Sequence, residues 1–526
     1  MKKIIYKMIG IVMMFIIVLP SCKKGFEDIN TDPNGAPDAT PAQLLAPALK
    51  NTLHANMIRN RNFNNELMQV TVSLSDGDAT VFRYEFRRTL SDYLWNSWYI
   101  QLTNFKDIYS QASEIDNTSK ASYQGISLIS QAWVYSLLTD TYGDVPYFES
   151  NMAKEGNVEP AFDRQKDIYL DIFKKLEEAN TLLTGAPNIL ASSDPLYNGV
   201  ISNWRRFGNS LYLRLLLRVS GKSEVSAEAI AKIQEIIGNS STYPIMTSNS
   251  HSAILKWTGV GALISPYMTV RAQDFRSPGL ASFFIDNLRD WADPRIDIST
   301  YGKNGINRWG IGQGSAGFSG VPSGYVPGAG FSKQSDFYSY DELSAGQPVT
   351  SLQNDQLTGM VMNYSEVQFI LAEAAAKGWI TGSAEDYWKT GILNGITLWL
   401  PNWPNSTALG TAPSPAMTIT SPEFIKYLSD GDIAWGTAPT LEEQMENIHL
   451  HKYYALFLVD LQQWFEYRRT GHPVLPKGAG LRNNGVMPAR MSYPVYVESA
   501  NPTNYQAAIA AQGPDEIYTQ VWWQKP

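Results

Sequence analysis

Apolar residues recur at steps of three and four through most of the first 240 positions, and this spacing limits the fold more than any other feature. It is typical of helices that bury one face against a core. The clearest stripe comprises Tyr169, Ile172, Phe173, Leu176, Ala179 and Leu183. Similar helices are predicted over 44–57, 92–112, 123–141, 203–220 and 227–237. Because these helices follow one another closely, we expect antiparallel pairs stacked into a mostly α-helical, curved scaffold.

Helical spacing returns in the second half of the chain. It predicts helices over 364–377 and 384–398. It also predicts one long helix over about 441–469, which Gly471 would end. The final segment, 491–526, is rich in proline and tryptophan and is predicted to be irregular.

The segment 301–331 differs from the rest of the chain because it holds ten glycines. A loop of this length inside a compact domain is uncommon unless it has a function. Its aromatic side chains have no obvious core position, so Trp309, Phe318 and Tyr325 are predicted to bind ligand. Alternatively, the loop folds back and packs these rings as a small cluster of its own. The sequence leaves both alternatives open.

Two further tryptophans are candidate ligand-binding residues. Trp98 lies beside Trp95 and Tyr99 on a predicted helix, where three bulky rings within five residues cannot all face one core. Trp257 precedes a pair of glycines. Aromatic residues make up 12% of the chain, and rings with flat apolar faces and polar tips suit amphipathic ligands such as sugars.

The amino terminus resembles a bacterial lipoprotein signal. Lys2, Lys3 and Lys7 form a positive region, the stretch 8–19 is apolar, and Cys22 follows as the only cysteine of the chain. The twelve apolar residues are too few for a spanning helix, which needs about 20. We therefore expect acyl chains on Cys22 to hold the protein on its membrane.

This reading divides the chain into three parts. Residues 1–21 are the predicted signal peptide, 22–40 a lipidated tether and 41–526 a single domain. The formal net charge is −8, so the composition gives no sign of the basic surface that nucleic-acid binding requires.

No motif predicts catalysis or a cofactor. Gly312, Gly314 and Gly317 fit the dinucleotide-binding pattern, but their flanks do not show the strand and helix that it needs. The acidic turns 76–78 and 430–432 leave a structural calcium ion open, although neither supplies the ligands of a full calcium loop. The motifs therefore assign no catalytic residue and no metal ligand.

Short stretches along the whole chain carry a resemblance to a known family. They are Leu19–Cys22 with the following Phe26–Asn34, Trp204–Leu211, Asp293–Arg295, Leu371–Ala374, Trp464–Gly471, Tyr493–Pro494 and Trp522–Trp523. In this order they resemble the SusD/RagB family. The likeness is greatest to the SusD-like branch of nutrient-binding outer-membrane lipoproteins.

The resemblance implies a fold and a function. The fold would be a body of tetratricopeptide-like helix pairs with a loop-rich face that binds ligand. The protein would be an acylated (palmitate-bearing) lipoprotein of the outer membrane that faces the cell exterior. It would bind an oligomeric nutrient, a glycan being favoured, and deliver it to a SusC-like TonB-dependent transporter barrel. The resemblance also implies that the protein is not an enzyme.

Two alternative functions would place the protein on the same membrane but give it a different ligand or reaction. A peptide-binding lid would use Arg271, Arg276 and Arg308 to hold peptide carboxylates. A surface glycoside hydrolase would instead need two carboxyl groups facing each other across the sugar. Abundant acidic residues do not by themselves identify such a pair.

Overall fold

The computed structural model describes residues 39–77, 80–114, 118–298, 307–340, 350–404, 417–437 and 439–525. The predicted signal peptide, Cys22 and all but the end of the tether lie outside the described residues, as do 301–306 of the glycine-rich segment. The chain divides into Met1–Thr40 and Pro41–Pro526, and the architecture that follows is that of the second unit.

Long helices form the first half of this unit. In the described residues they are α1 (Pro41–Arg59), α2 (Ser91–Glu114), α3 (Lys120–Tyr142), α4 (Gln165–Leu182), α5 (Ile201–Val219) and α6 (Ser226–Gly238). Each packs against the next along the chain. Their predicted ends are correct to within three residues wherever both ends were predicted, and the expected helical scaffold is confirmed.

Helix α4 illustrates why this pattern folds as it does. Tyr169, Ile172 and Leu176 lie on one face, and none of them is more than 2% exposed. Asp167 lies in the first turn, where its negative charge interacts favourably with the positive end of the helix dipole. The apolar stripe therefore decides which face α4 turns toward the core.

The second half mixes short and long helices. Those in the described residues are α7 (Ala272–Arg276), α8 (Ser282–Asp290), α9 (Tyr364–Ala376), α10 (Ala384–Trp399), α11 (Pro422–Asp430), α12 (Leu441–Ala455), α13 (Gln462–Thr470), α14 (Val495–Ala500) and α15 (Pro502–Gln512). Helix α9 packs against α10 and α12 and also against α5 of the first half.

The prediction of one long helix over 441–469 is wrong, because the helix breaks between α12 and α13. Leu458 and Asp460 adopt positive φ angles of 70° and 42° in the connection. Buried donors from other helices hold this bend: Asn56 and Trp133 donate to the Asp460 carboxylate at 2.6 and 2.9 Å. Tertiary hydrogen bonds thus override a continuous helical pattern.

The prediction of an irregular carboxyl-terminal segment is also wrong over part of its length. Helices α14 and α15 lie within it. Pro502 occupies the first turn of α15, where a missing N–H costs no helical hydrogen bond. Proline therefore marks a helix start here, and does not exclude one.

The strands are short and pair locally. In the described residues β1 (Thr71–Val72) pairs with β3 (Gly279–Leu280), β2 (Ala253–Leu255) with β6 (Gly359–Met362), and β4 (Ile311–Gly312) with β5 (Asp336–Phe337), all antiparallel. The glycine-rich segment packs tightly beside them. A Cβ on Gly320 would lie 2.3 Å from the Ser282 backbone nitrogen, so only glycine fits this approach.

A buried charge network joins α9 to α12 and α13. Arg469 donates to both carboxylate oxygens of Glu373 at 2.8 and 2.6 Å. Lys377 and His449 also contact Glu373, at 2.5 and 3.0 Å. Burial acts to raise the pKa of Glu373, but the charges of Arg469 and Lys377 hold this pKa well below its usual range.

Among the described residues, no helix has both the length and the apolar character needed to cross a bilayer.

Candidate ligand-binding cleft

A cleft lies between α2, α14 and the segment 146–162. Its volume is about 530 Å³. The described residues that line it are Trp95, Asn96, Tyr99, Ile100, Pro146, Ser150, Asn151, Val158, Pro160, Phe162, Tyr496, Val497, Ala500 and Asn501. We call it the α2–α14 cleft.

Trp95 is the most firmly held aromatic residue of this cleft. Its ring meets Tyr142 edge-on at 5.1 Å and Tyr493 at 5.8 Å, and neither of these two lines the cleft. Tyr99 and Phe162 lie 5.0 and 6.2 Å from the same ring and do line it. Contacts with Tyr142 and Tyr493 therefore hold the Trp95 ring in place, so this aromatic wall is already formed without ligand.

More exposed residues form the remaining wall. Ile100 and Val158 are 60% and 71% exposed, and Tyr496 is 43% exposed. The Tyr496 hydroxyl donates a hydrogen bond to Asn96 Oδ1 at 2.6 Å, which links α14 to α2 across the cleft. An exposed apolar surface of this kind, rimmed by amides, is typical of a binding site.

Asn151 supplies an unused polar group. Its backbone is left-handed, with φ of 63°, a conformation that asparagine tolerates better than most residues. Its Nδ2 donates to the Tyr99 carbonyl oxygen and to Thr103 Oγ1, both at 2.8 Å. Its Oδ1 is buried and has no hydrogen-bond partner. A residue of the cleft wall thus has an unused acceptor, which a ligand N–H or O–H would satisfy once the side chain turns toward the cleft.

The cleft is uncharged. No acidic or basic side chain belongs to the described residues that line it. The Tyr99 hydroxyl donates to the Pro146 carbonyl at 2.7 Å, and burial raises the pKa of this tyrosine well above its ordinary value. The site therefore offers rings, amides and hydroxyls, and no fixed charge.

Trp309, predicted to bind ligand, lies in the core. It is 0% exposed, stacked on Phe284 at 6.0 Å and edge-on to Trp399 at 5.7 Å. The Arg295 guanidinium lies 4.8 Å from its ring centre. The ring packs in the main core, and not in a separate cluster formed by the rings of the glycine-rich segment. Its ligand-binding role stays a prediction.

Tyr325 and Phe318 of the same segment are also packed against the protein. Tyr325 is 7% exposed, with Phe82 at 5.2 Å and the Arg83 guanidinium at 4.9 Å from its ring. Phe318 is half-buried against the main core. Their ligand-binding role stays a prediction, and neither residue lines the α2–α14 cleft.

Trp257 and Trp98 are buried as well. Trp257 is 1% exposed, and its Nε1 has no hydrogen-bond partner. Trp98 is 0% exposed and donates from Nε1 to Asn56 Oδ1 at 2.7 Å. On α2 the aromatic residues that line the cleft are Trp95 and Tyr99, together with Asn96 and Ile100.

Sequence reasoning missed the other wall of the cleft. Tyr496 and Asn501 lie in the segment that was predicted to be irregular, and Asn151 lies in a loop without a motif. A helix start at Pro502 is the only local signal near them. Tyr496 meets α2 in a tertiary contact across 400 positions, and Asn151 meets it across 52, so neither contact has a sequence signature.

The arginines of the peptide-binding alternative are already paired. Arg271 contacts Asp274 at 2.7 Å and Arg276 contacts Asp336 at 3.0 Å. Arg308 forms an ion pair with Asp355. A peptide carboxylate would have to displace these partners. The pairs therefore give little support to a peptide site at these positions.

The comparisons with known proteins place this architecture in a family. A family model described as starch-binding associating with outer membrane matches residues 33–494. The chain belongs to this SusD-like family. The resemblance found in the sequence is thereby confirmed. No curated protein matches the chain.

Solved structures of SusD-like proteins share the fold. A chitin-binding protein is 25% identical, with a TM-score of 0.70, and covers 93% of this chain and 100% of its own. A SusD homologue from Bacteroides fragilis is 22% identical, with a TM-score of 0.71 and coverage of 93% and 99%. A chitin-binding SusD homologue from Flavobacterium johnsoniae is 19% identical, with a TM-score of 0.71 and coverage of 92% and 98%.

Described residues from three of the stretches that carry the SusD-like resemblance make buried structural contacts. Trp204 donates from Nε1 to Asp194 at 2.8 Å. Trp523 donates to Asp140 at 2.7 Å. Arg295 forms a buried ion pair with Asp293 at 2.6 Å. These residues hold the scaffold together, whereas the α2–α14 cleft lies outside them.

Proposed function

We propose that the protein captures an oligosaccharide in the α2–α14 cleft without chemically changing it. The observation that carries this proposal is the composition of the cleft, in which fixed aromatic rings and amide side chains, including the unpaired Asn151 Oδ1, occur together without charge. Rings stack on the C–H faces of a pyranose, while amides satisfy its hydroxyls. Several such contacts give a grip that is specific and releasable.

The absence of charge in the described cleft separates capture from the two alternatives. A glycoside hydrolase would need two carboxyl groups flanking the sugar, and none of the described lining residues supplies one. A peptide site would favour arginine or lysine for the carboxylates. Neither kind of residue lines the described cleft.

We propose oligosaccharides of N-acetylglucosamine as the first ligand class to test. The names of two structural relatives refer to chitin binding, and one of them is 25% identical over 93% of this chain. The unpaired acceptor Asn151 Oδ1 suits the N–H of an acetamido group. Starch-type glucans are the second class, because the family description refers to starch.

The place of this capture is proposed to be the outer face of the outer membrane. Acylation of Cys22 would anchor the protein there, and a SusC-like TonB-dependent transporter would receive the glycan. The family description, which includes association with the outer membrane, supports this arrangement. The finer statements about the anchor and the transporter are part of the proposal.

The test is a calorimetric titration of the chain that starts after Cys22 with chito- and malto-oligosaccharides and with an oligopeptide library. Tyr496→Ala removes an exposed ring from the cleft, and Phe331→Ala is the matched control on the glycine-rich segment. The two rings are 43% and 44% exposed, so both changes should leave the fold intact.

We expect Tyr496→Ala to weaken glycan binding by up to about tenfold, the free-energy scale of one aromatic contact. Phe331→Ala should bind as the unchanged protein does. Glycan binding that only Phe331→Ala weakens would move the site to the glycine-rich segment. Binding of peptides alone would refute glycan capture.

A further inference from the structure

A histidine and two glutamates from separate parts of the chain meet at the start of α12. Glu442 and Glu446 lie four residues apart on one face of this helix, and His472 follows α13. One possible ligand atom from each lies within 4.8 Å of the other two. We infer that Glu442, Glu446 and His472 form a binding site for a divalent transition-metal ion such as Zn²⁺.

His472 points to a ligand independently of the acidic pair. It is only 9% exposed, and its Nδ1 is buried with no hydrogen-bond partner. Its Nε2 faces the cluster, 3.3 Å from Glu442 Oε1. Among the described residues, no hydrogen bond from outside the cluster fixes the tautomer of this imidazole, so Nε2 can present its lone pair to a metal ion held between it and the glutamates.

The charges of the pair also favour a cation. In the part of the chain that the structure describes, no lysine or arginine forms an ion pair with Glu442 or Glu446. Like charges four residues apart on a helix repel each other. A bound divalent ion would remove this repulsion.

A second cluster shows what a site without room for an ion looks like. Glu373, His449 and Glu466 also bring possible ligand atoms within 4.8 Å of one another. However, Arg469 bridges the two carboxylates, and Lys452 contacts Glu466 at 2.7 Å. Side-chain cations already occupy the positions that a metal ion would take.

The ligand types decide the class of ion. Two carboxylate oxygens and one imidazole nitrogen suit Zn²⁺ and its neighbours better than Ca²⁺, which prefers oxygen ligands alone. Three protein ligands would leave a fourth position for water. The ion would tie the first turns of α12 to the chain that leaves α13.

The experiment is a titration of the chain that starts after Cys22 with Zn²⁺, by calorimetry and by thermal unfolding. Co²⁺ serves as a spectroscopic probe, because its visible absorption reports the ligand set. Glu446→Gln removes one ligand from an exposed position. Glu423→Gln, at an exposed position in the first turn of α11, is the matched control.

We expect one Zn²⁺ per chain and a rise in Tm on Zn²⁺ addition. Changes to residues that only support a ligand already cost about 10–100-fold in metal affinity, so Glu446→Gln should lose at least that much. Glu423→Gln should bind as the unchanged protein does. His472→Gln, checked for folding by circular dichroism, should remove the Co²⁺ spectrum.

Three results would overturn the inference. The first is no Zn²⁺ binding by the unchanged protein. The second is binding that Glu446→Gln leaves at its original affinity. The third is a preference for Ca²⁺ over Zn²⁺, which would mean that the imidazole is not a ligand.

Discussion

Trp309 is a core residue whose ring is enclosed by Phe284, Trp399, Phe457 and Arg295. We predict that Trp309→Ala lowers the free energy of unfolding by about 3–5 kcal/mol, because it leaves a cavity where the largest side chain stood. Denaturant unfolding of the two proteins measures this difference. Phe331→Ala, on the surface of the same segment, should change the free energy of unfolding far less. A stable Trp309→Ala protein that had lost glycan binding would show that the ring serves the ligand.

His451 makes stability depend on pH. The residue is buried against Trp291, whose ring centre lies 4.8 Å away. Burial, helped by the charge of Arg295, lowers the pKa of His451 to about 3. An unfolded histidine titrates near 6.5, so the stability that neutral His451 contributes is complete above pH 6.5 and is lost as the pH falls toward 3.

We therefore predict that His451→Phe flattens the acid side of the stability curve. Between pH 6 and pH 4 the unchanged protein should lose about 1.4 kcal/mol per pH unit more than the variant, the slope for one proton. At pH 8 His451 is neutral in both the folded and the unfolded state, so the difference there reports packing alone. Denaturant unfolding at several pH values gives both numbers, and parallel curves would contradict the assignment.

At the scale of single residues, the sequence identified aromatic richness and could not place the rings. Trp95 and Trp98 are three positions apart, yet one lines a cleft and the other donates to Asn56 in the core. Helical spacing places residues three positions apart on neighbouring faces of one helix. It does not predict which of the two rings reaches a cleft, because that depends on packing against segments far away in the sequence.

The bend between α12 and α13 is held by Asp460. We predict that Asp460→Ala destabilises the protein by at least about 2 kcal/mol, because it leaves the buried donors Asn56 Nδ2 and Trp133 Nε1 unpaired. Asp432→Ala is the matched control, since Asp432 also has a positive φ but is exposed. The difference in unfolding free energy between the two variants isolates the buried hydrogen bonds. Equal effects would mean that backbone strain alone explains the loss.

At the scale of elements, amphipathic helices were predictable and interruptions were not. Helices α1 to α6 follow from apolar stripes that a single helix carries in its own sequence. The break at Leu458 leaves the apolar pattern unbroken, because its cause is hydrogen bonding to α1 and α3. Helix α14 is only six residues long, too short for periodicity to reveal it.

At the scale of the whole molecule, the proposed lipid anchor on Cys22 can be tested without disturbing the folded domain. We predict that Cys22→Ser abolishes incorporation of labelled palmitate in the native host and moves the protein from the membrane fraction to the soluble fraction. The domain from Pro41 onward should keep its thermal stability. Labelled protein in the Cys22→Ser variant would contradict a lipid anchor at this residue.

The family and the helical scaffold could be predicted from the sequence because their signals are distributed along the chain. The family stretches include buried pairs such as Glu373 with Arg469, which hold distant helices together. The cleft could not be predicted, because it forms where α2 meets a segment about 400 positions away. Its lining residues come from three separate segments and share no sequence motif.

The most direct test of glycan capture is a crystal structure of the chain that starts after Cys22, soaked with a chito-oligosaccharide. We predict a sugar ring in the α2–α14 cleft, against Trp95 and Tyr496, with an acetamido N–H donating to Asn151 Oδ1. An oligosaccharide bound elsewhere on the protein would contradict the proposed site, and an empty protein at saturating ligand would contradict the capture of this glycan.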